Sequence, residues 1–380
     1  MERSKIRVLV VAGARPNFMK IAPLLRELNA REAFEATLVH TGQHYDAAMS
    51  EDFFRDLGIP APDVNLGVGS GSHAQQTAEV LVGIEKLLVE QRPDVLLLVG
   101  DVNSTVAASL AAAKLLVPVA HVEAGLRSGD RTMPEEINRL VTDTLSTWCF
   151  TTEPAGNENL LREGVDDSKI HLVGNVMIDT LRANQDRAKG RDTLERLGLE
   201  PGGYALLTLH RPSNVDDPAK LSALFAVLEE IHTELPVVFP CHPRTRTAIE
   251  TLLGGTSPDL RILEPQGYLD FLKLMSAARV VLTDSGGIQE ETTALGVPCL
   301  TLRDNTERPI TVDEGTNELV GSDPEAVRRA ARRILDGETR AGRVPALWDG
   351  HAAKRIADVL ERDLGAEKGA ETGAARDPGR

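Results

Sequence analysis

A chain of 380 residues is longer than one hydrophobic core usually serves, so two domains are expected. Its 42% hydrophobic and 26% charged composition is that of a globular protein, and no apolar run reaches the ~20 residues that span a bilayer. A formal net charge of −15 argues against nucleic acid as a partner, because that binding needs basic clusters, and an anionic small ligand would need a locally basic pocket.

In chain order, the apolar segment Ile6–Ala12 runs straight into Gly13-Ala14-Arg15-Pro16 and reads as a first core strand, not as a signal peptide. Further strands are expected at 36–40, Val95–Val99, 117–122 and Trp148–Thr151, with helices at 18–32, 72–90, 104–116 and 135–145 between them. Val95–Val99 is apolar at every position, as a strand covered on both faces should be. A charged, lightly apolar stretch at 175–203 is expected to connect the two halves. The second half repeats the style, with strands at 204–209, 236–240, 260–263, Val280–Thr283 and 298–302. Its helices are expected at 219–233, 245–253, Tyr268–Ala277, 288–295 and Pro324–Leu335. Strands alternating with helices imply parallel α/β sheets. The tail from about residue 366 is Gly-, Ala- and charge-rich and reads as disordered. Cys149, Cys241 and Cys299 lie in apolar surroundings without C-x-x-C spacing, which suits buried free thiols in a reducing cytoplasm better than disulfides or zinc.

The string TDSGGIQEE, Thr283 to Glu291, follows an apolar strand and precedes a helix. Ser285, Gly286 and Gly287 then form a tight turn whose unpaired N–H groups and positive helix end suit a phosphate. Glycine lets an anion approach the backbone without interference from Cβ. Glu290 and Glu291, about one turn later, are placed to reach ribose hydroxyls.

Ligands of open α/β sheets bind beyond the carboxyl ends of the strands, so the residues that follow each strand carry most information. In the first half these are Arg15, Lys20, Asp101 and Glu123, with Glu135 opening a later helix. In the second they are His210, Arg211 and Arg308. Acids thus crown the first half, and cations with a phosphate turn crown the second, a polarity that suits a nucleotide sugar. Each has a structural alternative: Asp101 as a helix cap, Glu135 as a complement to the helix dipole, His210 as a satisfied histidine, Arg211 and Arg308 as ion-pair partners. Glu123 directly continues an apolar strand and needs a partner or a task.

With these residues assembled, the chain resembles the non-hydrolysing UDP-N-acetylglucosamine 2-epimerases. The likeness runs in order through GARPNFMKIAP, TGQH, GDVNST, HVEAGLRSGD, PEEINR, VGN, HRP, EPQGYLDF, TDSGGIQEE and RDNTERP, roughly residues 6–321. The resemblance implies an α/β fold of two Rossmann-like domains facing a central cleft, the GT-B type of nucleotide-sugar glycosyltransferases. The expected division is 1–174 with the catalytic acids, 175–350 for UDP, a C-terminal helix at 351–365 packing back on the first domain, and a tail at 366–380. It also implies a cytoplasmic homodimer that acts on UDP-GlcNAc and UDP and needs no redox cofactor or metal.

By position, the resemblance makes Asp101, Glu123, Glu135 and His210 catalytic. Arg15, Lys20, Ser285, Gly286, Gly287, Arg211 and Arg308 fall on the nucleotide's phosphates and neighbouring contacts, Glu291 on the ribose, and Gln266 and Phe271 on the uracil. The string CHPRTR departs from the longer basic one in members with a second, allosteric UDP-GlcNAc site. That argues against such a site here, with Gln43, His44 and His242 as its candidate contacts. GARPN for GTRPE, HRPSN for HRREN-like strings and a short loop before Pro134 leave the sugar open.

The implied reaction is reversible C2 epimerisation to UDP-N-acetylmannosamine, by elimination of UDP to a 2-acetamidoglucal and its re-addition. Other UDP-2-acetamido sugars, hydrolytic release of N-acetylmannosamine and UDP, a glycosyltransferase, and a non-catalytic nucleotide-sugar sensor are the alternatives. An NAD-dependent dehydrogenase is disfavoured because the first strand lacks G-x-G-x-x-G.

Overall fold

The computed structural model describes residues 5–13, 15–42, 56–211, 214, 217–241, 243–252, 254 and 259–374, with side chains described at all of these except 15, 16, 243–245 and 367–374. Gln43, His44 and His242, and the side chain of Arg15, therefore lie outside the described residues.

The chain divides into two compact units, 1–180 with 347–380 and 181–346. In the first, seven parallel strands lie in the order β3-β2-β1-β4-β5-β6-β7. They are β1 (Ile6–Ala12), β2 (Phe34–His40), β3 (Val64–Asn65), β4 (Val95–Val99), β5 (Val119–Ala124), β6 (Trp148–Thr151) and β7 (Ile170–Leu172). β4, in the middle, is buried at every position, as its uninterrupted apolar sequence requires. The helices are α1 (Arg15–Ala30), α2 (His73–Gln91), α3 (Asn103–Lys114), α4 (Pro134–Leu145), α5 (Pro154–Arg162) and the start of α6 (Val176–Lys189). Ser72 starts α2 with a reciprocal capping box to Gln75.

The second unit holds six parallel strands in the order β10-β9-β8-β11-β12-β13. They are β8 (Ala205–Thr208), β9 (Val237–Pro240), β10 (Arg261–Leu263), β11 (Val280–Thr283), β12 (Cys299–Thr301) and β13 (Asn317–Leu319). Its helices are α7 (Thr193–Leu197), α8 (Pro218–Glu234), α9 (Pro243–Leu252), α10 (Tyr268–Ala277), α11 (Gly286–Leu295), α12 (Pro309–Asp313) and α13 (Pro324–Leu335). Both sheets thus show the 3-2-1-4-5-6 strand order of the dinucleotide-binding fold, with order reversing at β1/β4 and at β8/β11. A crevice at the carboxyl ends of those strand pairs is where such sheets bind ligands.

Several expectations need correction. β3, β7 and β13 are two or three residues long, too short to show a period in the sequence. The stretch at 175–203 is not merely a connection: it carries α6 and α7, and the boundary at 180/181 falls inside α6 rather than at 174/175. The final helix, α14 (Ala352–Ala374), continues well into the segment read as disordered, because its Ala, Glu and Lys content favours helix despite Gly369 and Gly373.

The return of the chain to the first unit has clear anchors. Trp348 is 1% exposed and its indole N–H donates to the Thr152 carbonyl at 3.0 Å. Asp179 accepts from the N–H groups of Ala352 and Ala353 at 3.1 and 2.7 Å, capping the start of α14. Burial outweighs those bonds and pushes the Asp179 carboxyl up to about 6. Arg31, directly after α1, bonds to Glu361 and pairs with Asp358 along α14. All three cysteines are free and buried. Among the described residues no helix is long and apolar enough to cross a membrane.

Candidate active site

In the first unit the polar residues gather where β1, β4 and β5 end. Asn17, in the first turn of α1, joins two of these ends: it accepts from Gly13 N–H at 3.2 Å and donates to the Val99 carbonyl at 3.2 Å. One turn later Lys20 pairs with Glu123, both nearly fully buried. Glu123 is carried by an irregularity in β5, where the pairing with β6 skips a residue between Val122 and Ala124. Its φ of +72° is a conformation that side chains other than glycine's seldom adopt. A bulge of this kind re-aims one side chain at the end of a strand, and here that side chain is a carboxylate. β5 therefore runs through Glu123 to Ala124 instead of stopping at 122.

Gly100 makes room for the pair. Its φ is +66°, and a Cβ there would lie 3.1 Å from Lys20 Nζ, 3.3 Å from Asn17 Nδ2 and 3.4 Å from Glu123 Oε2. Its carbonyl accepts from His121 Nε2 at 2.8 Å, while His121 Nδ1 lies 2.6 Å from Asp143 Oδ1. Asp143 also accepts from Gly125 N–H at 3.0 Å and pairs with Arg127 at 2.7 Å. Burial would raise the Asp143 carboxyl, but His121 and Arg127 overcome it and hold the group below the usual carboxylate range.

Asp101 follows Gly100 and is gripped through one oxygen by Arg139 of α4, at 3.0 Å from Nε and 2.6 Å from Nη2. Arg139 also reaches Glu136 at 2.7 Å. Glu136 is saturated: it accepts from Ser128 N–H and Oγ–H and from Gly129 N–H, at 2.9, 3.0 and 3.1 Å. Burial opposes its ionisation, yet those donors and Arg139 bring the carboxyl below its ordinary range. Glu135 is different. It sits half-buried in the first turn of α4, and no hydrogen bond or ion pair joins it to any described residue. The two adjacent acids thus divide: Glu136 holds the loop at 128–129 and Glu135 remains available. α4 buries Glu136, Arg139 and Asp143 while leaving Ile137 44% exposed, the reverse of a structural amphipathic helix.

In the second unit, Ser285 precedes α11, and its N–H donates to Thr283 Oγ1 at 3.0 Å. The turn is backed by Arg308, whose Nη1 would lie 2.6 Å from a Cβ on Gly286. Arg308 is only 8% exposed and pairs with Glu290 at 2.6 Å. Glu290 is therefore spent on Arg308 and is not presented to a ribose. Glu307 is shared among Arg303 at 2.7 Å, Arg308 at 3.5 Å and Arg211 at 3.7 Å. Glu291 is buried, pushed up to about 8 by desolvation, opposed by the hydrogen bond it accepts from Tyr268 Oη at 3.2 Å and reinforced by nearby Glu290.

Tyr268 opens α10, and Phe271 in the same helix is half-buried. Gln266, just before it, donates to the Glu264 carbonyl at 2.7 Å. The Tyr268–Glu291 bond links the start of α10 to α11, which carries the glycine turn at its own start. His210 follows β8 with its side chain 59% exposed, and its Nδ1 lies 2.7 Å from Asp284 Oδ1.

Lys20, expected near phosphate, is engaged with Glu123. Sequence alone assigns no role to Asn17, His121, Glu136, Arg139, Tyr268 and Asp284. Arg139 stands three residues from Glu136 and reads as an ordinary ion pair along a helix. Asp284, inside TDSGG, had position in its favour, directly after a strand.

The family model for UDP-N-acetylglucosamine 2-epimerase matches residues 26–361. A UDP-N-acetylglucosamine 2-epimerase of Methanococcus maripaludis is 40% identical over 363 residues, covering 93% of this chain and 98% of the relative. A UDP-2,3-diacetamido-2,3-dideoxy-D-glucuronate 2-epimerase of Pseudomonas aeruginosa is 41% identical over 361 residues, 94% of this chain and 100% of the relative. The crystal structure of Methanocaldococcus jannaschii UDP-GlcNAc 2-epimerase in complex with UDP-GlcNAc and UDP is similar at a TM-score of 0.85 and 40% identity, covering 94% of this chain and 99% of that one. The two parallel-sheet domains are those of the GT-B type. Across nearly its whole length, then, this chain belongs to the UDP-N-acetylglucosamine 2-epimerase family.

Proposed function

We propose that the protein interconverts UDP-N-acetylglucosamine and UDP-N-acetylmannosamine without hydrolysis. The observation that carries this reading is the buried Lys20–Glu123 pair beside Asp101, set at strand ends in a chain of this family. The C2 proton of the sugar is not adjacent to a carbonyl, so its removal must be coupled to loss of the group on C1. A carboxylate takes the C2 proton, the C–H electrons form the C1–C2 double bond, and the C1–O bond breaks to release UDP. Return of a proton to the opposite face of C2 and re-addition of UDP oxygen to C1 complete the inversion.

Each step has a candidate. Glu123, Asp101 and Glu135 are the acids that exchange the proton, and Lys20 offsets the desolvation of Glu123. The turn at Ser285–Gly287 and Arg308 receive the departing diphosphate, as helix N-termini and guanidinium groups do. His210 stabilises the leaving group, Arg211 adds positive charge directly after it in the chain, and Arg15 is a further proposed phosphate contact. Glu291 takes the ribose, and Phe271 with Gln266 the uracil. Incubation with UDP-GlcNAc tests the reading: UDP-linked epimer at equilibrium supports it, whereas free N-acetylmannosamine with UDP favours a hydrolase.

One relative favours a second reading of the sugar. The 41% identity to the UDP-2,3-diacetamido-2,3-dideoxy-D-glucuronate 2-epimerase admits a substrate with a second acetamido group and a carboxylate. Parallel kcat/KM measurements on both UDP-sugars decide between them.

The protein is also proposed to be a cytoplasmic homodimer. Val82 and Val89, seven residues apart on one face of α2, are 63% and 55% exposed, and Leu116 beyond α3 is 89% exposed. Sedimentation at micromolar concentration, repeated with Val82→Glu, tests the dimer.

A further inference from the structure

We propose that Asp284 is a positioning residue that fixes the His210 imidazole with Nδ1 inward and Nε2 presented to the bound nucleotide. The inference rests on the catalytic reading of His210 given above. β8 and β11 are neighbours, paired through Thr208 and Thr283, so the residues that follow them emerge side by side at the point where strand order reverses. From β11 comes Asp284, fully buried; from β8 comes His210, largely exposed.

The two oxygens of Asp284 do different things. Oδ2 accepts from the backbone N–H of His210 at 2.9 Å, from that of Arg211 at 2.8 Å and from Asn214 Nδ2 at 3.2 Å. These bonds fasten the loop after β8. Oδ1 lies 2.7 Å from His210 Nδ1. A loop fastener needs only the first oxygen, which an amide or hydroxyl would supply. A carboxylate kept dry inside the unit, with its second oxygen turned to an exposed imidazole, is what a histidine needs to hold one tautomer and one orientation. His210 and Arg211 lower the Asp284 carboxyl against the opposing effect of burial, consistent with an ionised acceptor. Asp284 also directly precedes Ser285, so the same strand end carries the anion turn and the group that orients His210.

The test compares Asp284→Asn with Asn214→Ala. The second removes a donor to Oδ2 and leaves Oδ1 and His210 untouched. In 15N-histidine NMR of the whole protein, with His210 assigned from the spectrum of His210→Gln, the wild-type ring is expected to carry a proton on Nδ1, and Asp284→Asn to lose that preference. Epimerase kcat should fall about 30- to 100-fold in Asp284→Asn, with the Kd for UDP within about threefold, as loss of a group that orients another predicts. Asn214→Ala should keep kcat within about threefold. Equal losses in the two variants, or a wild-type His210 protonated only on Nε2, overturns the proposal. Failure of wild-type protein to turn over UDP-sugars would count against the proposed function instead, and the NMR measurement would still decide the inference.

Discussion

Lys20 and Glu123 meet as a buried ion pair across the backbone of Gly100, the one residue in that loop whose missing side chain leaves them space. A helix, a bulged strand and a loop thus converge on a single carboxylate. Gly100→Ala adds a methyl group 3.1 Å from Lys20 Nζ at a φ of +66°. It should cost about 1–2 kcal/mol in urea denaturation and at least tenfold in kcat. Unchanged kcat would mean that the pair does not need its present geometry.

Glu135 and Glu136 should separate cleanly. Glu135→Gln removes no hydrogen bond or ion pair to a described residue, so the urea midpoint should stay put while kcat falls about 100-fold or more. Glu136→Gln disturbs acceptance from Ser128 and Gly129 and the bond to Arg139, so it should destabilise by about 1–3 kcal/mol. The paired measurement is chemical denaturation beside steady-state kinetics. The opposite pattern would reverse the roles.

Gly286→Ala should weaken UDP binding by about tenfold, because the new methyl group meets Arg308 Nη1 at 2.6 Å while Glu290 and Glu307 restrain that guanidinium. Calorimetric titration with UDP reads it. Affinity equal to wild type would place the diphosphate elsewhere.

Much of this was legible in the sequence because ligand-facing residues in parallel sheets follow the strands, which announce themselves as apolar runs. Gly100-Asp101 after β4, Glu123 in β5, His210 after β8 and the glycine turn after β11 all stood out on that ground. The bulge at Glu123 was not legible, since a skipped pairing leaves no mark on hydrophobic alternation. Helix α6 was read as a connection because Arg182, Asp186, Arg187 and Lys189 on its outer side mask Ile178, Leu181 and Ala188 on its inner side. Arg139 was missed because burial of a charged residue on a helix is set by what it covers, not by local spacing.

Glu291 should make stability depend on pH. Its folded pKa of about 8 lies above the ordinary 4.5, so folding favours the protonated form. Its contribution is fully present below the lower value and is lost as pH rises through about 8. Between pH 6 and 9 wild-type protein should lose about 3 kcal/mol through this group, and Glu291→Gln should lose less. Urea midpoints of both proteins at the two pH values test this, and parallel slopes would show that Glu291 titrates normally.

The most direct test of the central claim is incubation with UDP-GlcNAc in deuterium oxide, with the C2 position and the fate of UDP followed by NMR. The expected product is a UDP-linked epimer carrying one solvent deuteron at C2, with loss of that exchange in Glu123→Gln while UDP binding stays intact. Epimer without solvent label, or free amino sugar with stoichiometric UDP, would contradict it.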